Sequence, residues 1–150
     1  MATTAFELMV SEAQRTDPLE TGGILLGWHA AEGPDILAAA MIGPGPDAVH
    51  KRTRFEPDSA SQRQELSRLY RDSGRVVTYL GDWHSHPGGS ETPSRRDERT
   101  ARRIARHRSA RVREPVMVIL AGHGARWKLA PHRYIGTRLQ RIEYDLTDDS

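Results

Sequence analysis

The sequence predicts an α+β fold, a mixed central β-sheet flanked by helices. At 150 residues the chain is long enough for one hydrophobic core and short for two. Apolar runs such as Gly23-Ile24-Leu25-Leu26 and Val116-Met117-Val118-Ile119-Leu120 read as buried strands. Helical and strand patterns alternate in the first part, whereas the last part holds strands that pair locally, so the sheet mixes strand directions. No internal repeat or linker divides the chain. We read one domain over residues 1–146, with residues 147–150 an acidic tail expected to fray.

The elements follow in order. Thr4 with Glu7 fits a capping box, and Phe6, Met9, Val10 and Ala13 recur at helical spacing, which predicts a helix over residues 4–16. Asp17-Pro18 stops it. Residues 21–30, with their Gly-Gly pair, read as a buried strand, and residues 35–42 as a strand running back beside it after the turn Glu32-Gly33-Pro34. A loop opens at Gly43-Pro44-Gly45-Pro46 and runs to about Arg54. Ser59 with Gln62 offers a second capping box for a helix faced by Leu66, Leu69 and Tyr70 and ended by Gly74. Residues 76–83 are rich in β-branched and aromatic side chains and form a central strand, followed by a loop over residues 84–93. Ser94 starts a third helix to about Arg108, and strands follow at residues 116–121, 126–129 and 138–144.

Composition excludes several classes. Without cysteine there is neither a disulfide framework nor a thiolate zinc site, so any metal must be held by His, Asp or Glu. Residues 1–10 lack a basic region followed by an apolar stretch, and no run is long enough to span a membrane, so a cytoplasmic protein is expected. The formal charge is only +2, but nine arginines fall between Arg95 and Arg113. Arg95, Arg99, Arg102, Arg103 and Arg106 share much of one helix face, a cationic surface suited to an acidic protein partner. Nucleic acid is the alternative partner and is not expected to be the main one.

The chemistry gathers after the central strand. His84 and His86 are two apart at its end, where a period of two sends both side chains to one side with Cα atoms about 6.5 to 7 Å apart. Asp97, one turn into the next helix, can return a third ligand on a rigid element. Two His and one Asp leave a fourth tetrahedral position for water, the arrangement of a catalytic zinc site rather than a structural one. Ser94 and Asp97 also fit a helix capping box that needs no metal, and for Ser94 the two readings are compatible. Gly22, Gly23 and Gly27 serve either close backbone approach or bulges. Trp83 reads as a core or site-wall residue, Trp28 and Trp127 as packing residues, and His29, His50, His107, His123 and His132 receive no role.

These residues match a family. His84-Ser85-His86-Pro87, seven residues counted from Pro87 to Pro93, then Ser94, two residues and Asp97 resemble the JAB1/MPN/Mov34 (JAMM) metalloprotease motif at every defined position. Glu20-Thr21-Gly22-Gly23-Ile24-Leu25-Leu26-Gly27 resembles the Glu-bearing segment of the same family. The resemblance implies the JAB1/MPN, cytidine-deaminase-like architecture, with one zinc ion per chain held by His84, His86 and Asp97. It implies that Glu20 activates the water and passes its proton to the leaving amine, and that Ser94 hydrogen-bonds the developing oxyanion. It further implies a peptidase or isopeptidase acting at the C-terminus of a ubiquitin-like modifier, similar to small stand-alone bacterial members encoded with conjugation systems in antiphage defence. A sulfur-carrier processing peptidase, a non-catalytic MPN interaction module and a basic nucleic-acid-binding protein are the alternatives.

Overall fold

The apolar period of the first residues produces α1 (Thr3–Thr16) in the computed structural model, which describes residues 1–148. Its start differs from the expected Thr4 and Glu7 box, because Ala2 is the N-cap and no side chain caps the helix. The Ala2 N–H donates to the Ala38 carbonyl at 2.8 Å and the Thr3 N–H to the Thr147 carbonyl at 2.9 Å, so partners distant in sequence satisfy two of the N–H groups that a helix start leaves without an intrahelical acceptor. Thr147, the first residue of the expected tail, is thereby tied to Ala2; residues 149–150 of that tail lie outside the described residues.

The strands β1 (Gly22–His29), β2 (Ile36–Ile42), β5 (Thr78–Pro87), β6 (Val116–His123), β7 (Arg126–Ile135) and β8 (Arg138–Arg141) form one six-stranded sheet in the order β2-β1-β5-β6-β7-β8. Only β5 and β6 run parallel; every other neighbouring pair is antiparallel. The central strand is longer than expected and carries both histidines inside the ladder, since β6 pairs with it from Gly81 opposite Val116 to Pro87 opposite Gly122. The loop begins only at Gly88. The strand expected at residues 126–129 continues to Ile135, and the last one stops at Arg141.

Two short strands that the sequence did not reveal, β3 (Val49–His50) and β4 (Phe55–Glu56), make a small hairpin within and just beyond the expected loop. The second helix, α2 (Ser59–Asp72), is capped by Asp58, whose carboxylate accepts the Ser61 N–H at 3.1 Å, in place of the expected Ser59 and Gln62 box. Gln62 is buried and donates to the Gly43 carbonyl at 3.0 Å. The third, α3 (Arg95–Arg106), starts at the expected Ser94 cap and ends slightly early.

Alternation along β6 divides the core. Val118 and Leu120 pack with Leu25, Leu80, Trp83 and Leu129 under Met9 and Ala13 of α1. Met117 points the other way, against Ala101 of α3, Tyr134 and Leu139. Trp127 packs on the first cluster as expected, whereas Trp28, expected to pack, is exposed near the end of β1. Among the described residues no helix is long and apolar enough to cross a membrane.

Close approach explains the Gly-Gly pair of β1. A Cβ on Gly22 would stand 2.9 Å from the Cβ of His84, and one on Gly23 would stand 1.8 Å from the Ile42 carbonyl oxygen, which accepts the Trp83 indole N–H at 3.3 Å. Gly23→Ala therefore forces backbone apart and should lower unfolding free energy by at least about 2 kcal/mol in denaturant titration. His132 is buried, its Nδ1–H donating to the Ala130 carbonyl at 3.0 Å, and burial pushes its pKa down. Its stability contribution is thus present above the unfolded value of about 6.5 and is lost as pH falls through the depressed folded value. Thermal melts from about pH 7.5 to about pH 5.5 should be flatter for His132→Gln than for wild type.

Candidate metal centre

The period of β5 places the rings of His84 and His86 side by side on the α3 face, with their Nε2 atoms 2.9 Å apart. Asp97 completes the group from the first turn of α3, its Oδ1 3.1 Å from His84 Nε2 and its Oδ2 3.5 Å from His86 Nε2. All three ligand atoms lie within 4.8 Å of one another. Tetrahedral zinc with bonds of about 2.0 to 2.1 Å holds ligand atoms about 3.3 Å apart, so the triad fits that ion. The His86 Nδ1–H donates to the Ser90 carbonyl at 2.8 Å, which fixes the ring and in the neutral imidazole leaves Nε2 as the lone-pair nitrogen; in the protonated ring Nε2 donates to Asp97. Two basic nitrogens and a carboxylate this close call for a shared cation or proton.

The capping box and the ligand set coexist. The Ser94 N–H donates to Asp97 Oδ2 at 2.6 Å, and the Asp97 N–H donates to Ser94 Oγ at 3.2 Å. The cap orients the Asp97 carboxylate toward the histidines and uses Ser94 Oγ only as an acceptor, so its own proton is still available. Burial alone would raise the Asp97 pKa, but hydrogen bonds from His84 and His86 outweigh it and hold the carboxyl far below its usual range. His86 is pushed up in turn, because its contacts with Asp97 and Ser90 outweigh the opposing effect of burial.

Glu20 lies in the same cavity, about 180 Å³ in volume, which is also lined by His84, Asp97, Arg96, Phe55 and Gln62. Its backbone is held on both sides by the β3–β4 hairpin. The Glu20 N–H donates to the Lys51 carbonyl at 2.8 Å, and its carbonyl accepts from His50 Nδ1 at 2.9 Å. Burial pushes the Glu20 pKa up, opposed by His84 and His86 and reinforced by Asp97. A carboxylate so tuned, beside a metal set with room for water, is suited to proton transfer.

Of the residues singled out in the sequence, His84, His86 and Asp97 converge and Glu20 shares a cavity with His84 and Asp97, while Ser94 stands at the helix cap beside Asp97. Four others were missed. Ser85, fully buried between the two histidines, accepts the Thr21 N–H on its hydroxyl at 3.0 Å and donates its own N–H to the Thr21 carbonyl at 2.8 Å, locking the residue after Glu20 to the ligand strand. His50 supports the Glu20 carbonyl. Asp82, which accepts the Tyr79 hydroxyl at 2.8 Å and is raised in pKa by burial, lines the same cavity. Extending the period of two back from His84 would have found it; Glu98 carried no such signal.

An open two-His, one-Asp site with a carboxylate alongside, set on a mixed sheet, defines a metal-dependent hydrolase. Residues 3–130 match the family described as prokaryotic homologs of the JAB domain. The chain is 40% identical over 136 residues, 90% of its length and 81% of the relative's, to a probable metalloprotease, y4qB, of Sinorhizobium fredii (strain NBRC 101917 / NGR234). It is 33% identical over 125 residues, 83% of its length and 68% of the relative's, to a CD-NTase/cGAS isopeptidase of Enterobacter hormaechei subsp. hoffmannii (strain UCI 50). The fold is shared with the solution structure of protein DSY2949 from Desulfitobacterium hafniense, at a TM-score of 0.73 and 20% identity, over 99% of this chain and 92% of that one. The chain belongs to the prokaryotic JAB family and is a hydrolase of the JAMM metalloprotease type.

The placement of α3 depends on Glu98, whose two carboxylate oxygens accept the Leu139 N–H of β8 at 2.9 and 3.2 Å. Glu98→Gln removes the charge from this bond and should cost about 1 kcal/mol of unfolding free energy, read from the denaturant midpoint.

Proposed function

We propose that the protein is a zinc-dependent peptidase or isopeptidase that hydrolyses the amide at the C-terminus of a ubiquitin-like modifier or its conjugate. The observation that carries this reading is the convergence of His84, His86 and Asp97, two of which, His84 and Asp97, line one cavity with Glu20. His84, His86 and Asp97 hold one zinc ion per chain. That ion supplies Lewis acidity toward a carbonyl and a water.

Glu20 takes the proton of the attacking water on its carboxylate and delivers it to the leaving amine, a task favoured by its raised pKa. Ser94 directs its hydroxyl proton to the developing oxyanion while its oxygen still caps α3. Arg96 reaches from α3 to the Thr53 carbonyl at 3.3 Å and so closes the cavity against the hairpin.

The names of the relatives support a conjugate substrate of the kind built around CD-NTases, and so a defence-associated deconjugase over a sulfur-carrier processing enzyme. The complete ligand set argues against a silent interaction module. Elemental analysis should find one zinc per chain, with chelator-sensitive cleavage of an isopeptide-linked substrate. Glu20→Ala should lower cleavage by about a thousandfold or more while zinc stays bound. His84→Ala should lose both, and equal metal loss in the two variants would contradict the assigned roles.

A further inference from the structure

The outer face of α3 carries a cluster of positive charge without an ion-pair partner among the described residues. Arg95, Arg99, Arg102 and Arg106 follow one another at intervals of four, three and four, with Arg96 and Arg103 beside them, and all six are exposed. At about 100° per residue they occupy one arc of about 120°, along a helix about 18 Å long. Among the described residues no arginine between Arg95 and Arg113 has an ion-pair partner; elsewhere Arg15, Arg54, Arg68, Arg133 and Arg141 each face a carboxylate, and Arg52, Arg63, Arg71, Arg75, Arg126 and Arg138 do not, so what sets α3 apart is the clustering of its arginines on one face.

The acids of this segment are engaged elsewhere. Asp97 turns inward to the histidines, Glu98 takes the Leu139 N–H, and Glu114 pairs with Arg133 at 3.3 Å. Neighbouring guanidinium groups repel one another along the helix and destabilise it slightly, so the arrangement is explained by a partner rather than by folding. Arg96 and Arg103 also line the cavity that holds Glu20, His84 and Asp97. Whatever neutralises this face therefore lies against the mouth of the reaction site.

We infer that the arginine face of α3 is the docking surface for an acidic patch on the folded part of a CD-NTase-type conjugate, the substrate class the relatives' names support, whose C-terminal amide enters the cavity. This rests on the hydrolytic reading above and extends it from the scissile bond to the body of the substrate. A folded protein can lie on the helix while its extended C-terminal tail reaches the metal set; a nucleic-acid duplex bound there has no amide to present. The surface raises the rate of encounter and fixes orientation, and salt screens it.

The test uses the full chain loaded with zinc, with Glu20→Gln to prevent turnover, and the same protein carrying R99E, R102E and R106E. The probe is a CD-NTase joined through its C-terminus to the lysine of a fluorescent peptide. Binding should weaken steeply between about 50 and about 300 mM salt, and the charge-reversed protein should bind at least roughly tenfold less tightly at low salt, with unchanged zinc content and circular dichroism. Equal affinity of the two proteins, including no binding by either, would overturn the docking surface. So would tighter binding of a 20-base-pair DNA duplex than of the conjugate at the higher salt. Cleavage of the fluorescent isopeptide by the unmutated enzyme reports on the hydrolytic reading alone, so turnover with charge-insensitive binding removes only the docking surface.

Discussion

Strand β5 is hydrogen-bonded along both edges, to β1 on one side and β6 on the other, and the rest of the site depends on that double pairing. A strand held on two sides cannot slip by one residue without turning every side chain to the opposite face. His84 and His86 therefore stay together on one face, while Trp83 and Ser85 stay buried on the other. Ser85 then exchanges hydrogen bonds with Thr21, so the segment carrying Glu20 inherits the register of the ligand strand. The Gly-Gly pair of β1 makes this possible, since side chains there would collide with His84 and with the Ile42 carbonyl.

The third member of the triad is placed by different means. Asp97 is oriented by the Ser94 cap at one end of its helix turn, and the helix is tied to β8 through Glu98. The same short segment separates its charges: both acids of α3 work inward and its arginines face water. Burial penalises an isolated carboxylate, and within the site that penalty falls unequally. Asp97 has two histidine partners and remains ionised, whereas the raised pKa of Glu20 reflects burial that its charged neighbours only partly offset. Two carboxylates in one cavity are thus separated in proton affinity, which fits the ligand and base roles proposed for them.

Much of this was legible in the chain, for local reasons. The pairs His84/His86 and Ser94/Asp97 lie close in sequence, and their spacing on a strand and a helix start sets their geometry directly. What could not be read there depended on distant partners. The cap of α1 moved to Ala2 because Ala38 and Thr147 supply its acceptors. The end of β5 moved past His86 because β6 offers ladder partners as far as Gly122. The hairpin of β3 and β4 has strands of two residues each, too short to show a period, yet it holds the backbone of Glu20 through Lys51 and His50.

The amino-acid sequence by itself determined which groups are available and in which direction each local element presents them: two imidazoles on one strand face, a carboxylate at a helix cap, and arginines on the outer arc of that helix. These depend only on the periods of two and 3.6 residues and on capping chemistry. Tertiary structure alone decided that Glu20 stands in the same cavity, that Ser85, His50 and Glu98 hold the parts in place, and that the arginine face adjoins the site. The hydrogen bonds among those relations join residues 30 to 64 positions apart, brought together by sheet pairing and burial, which no local pattern records.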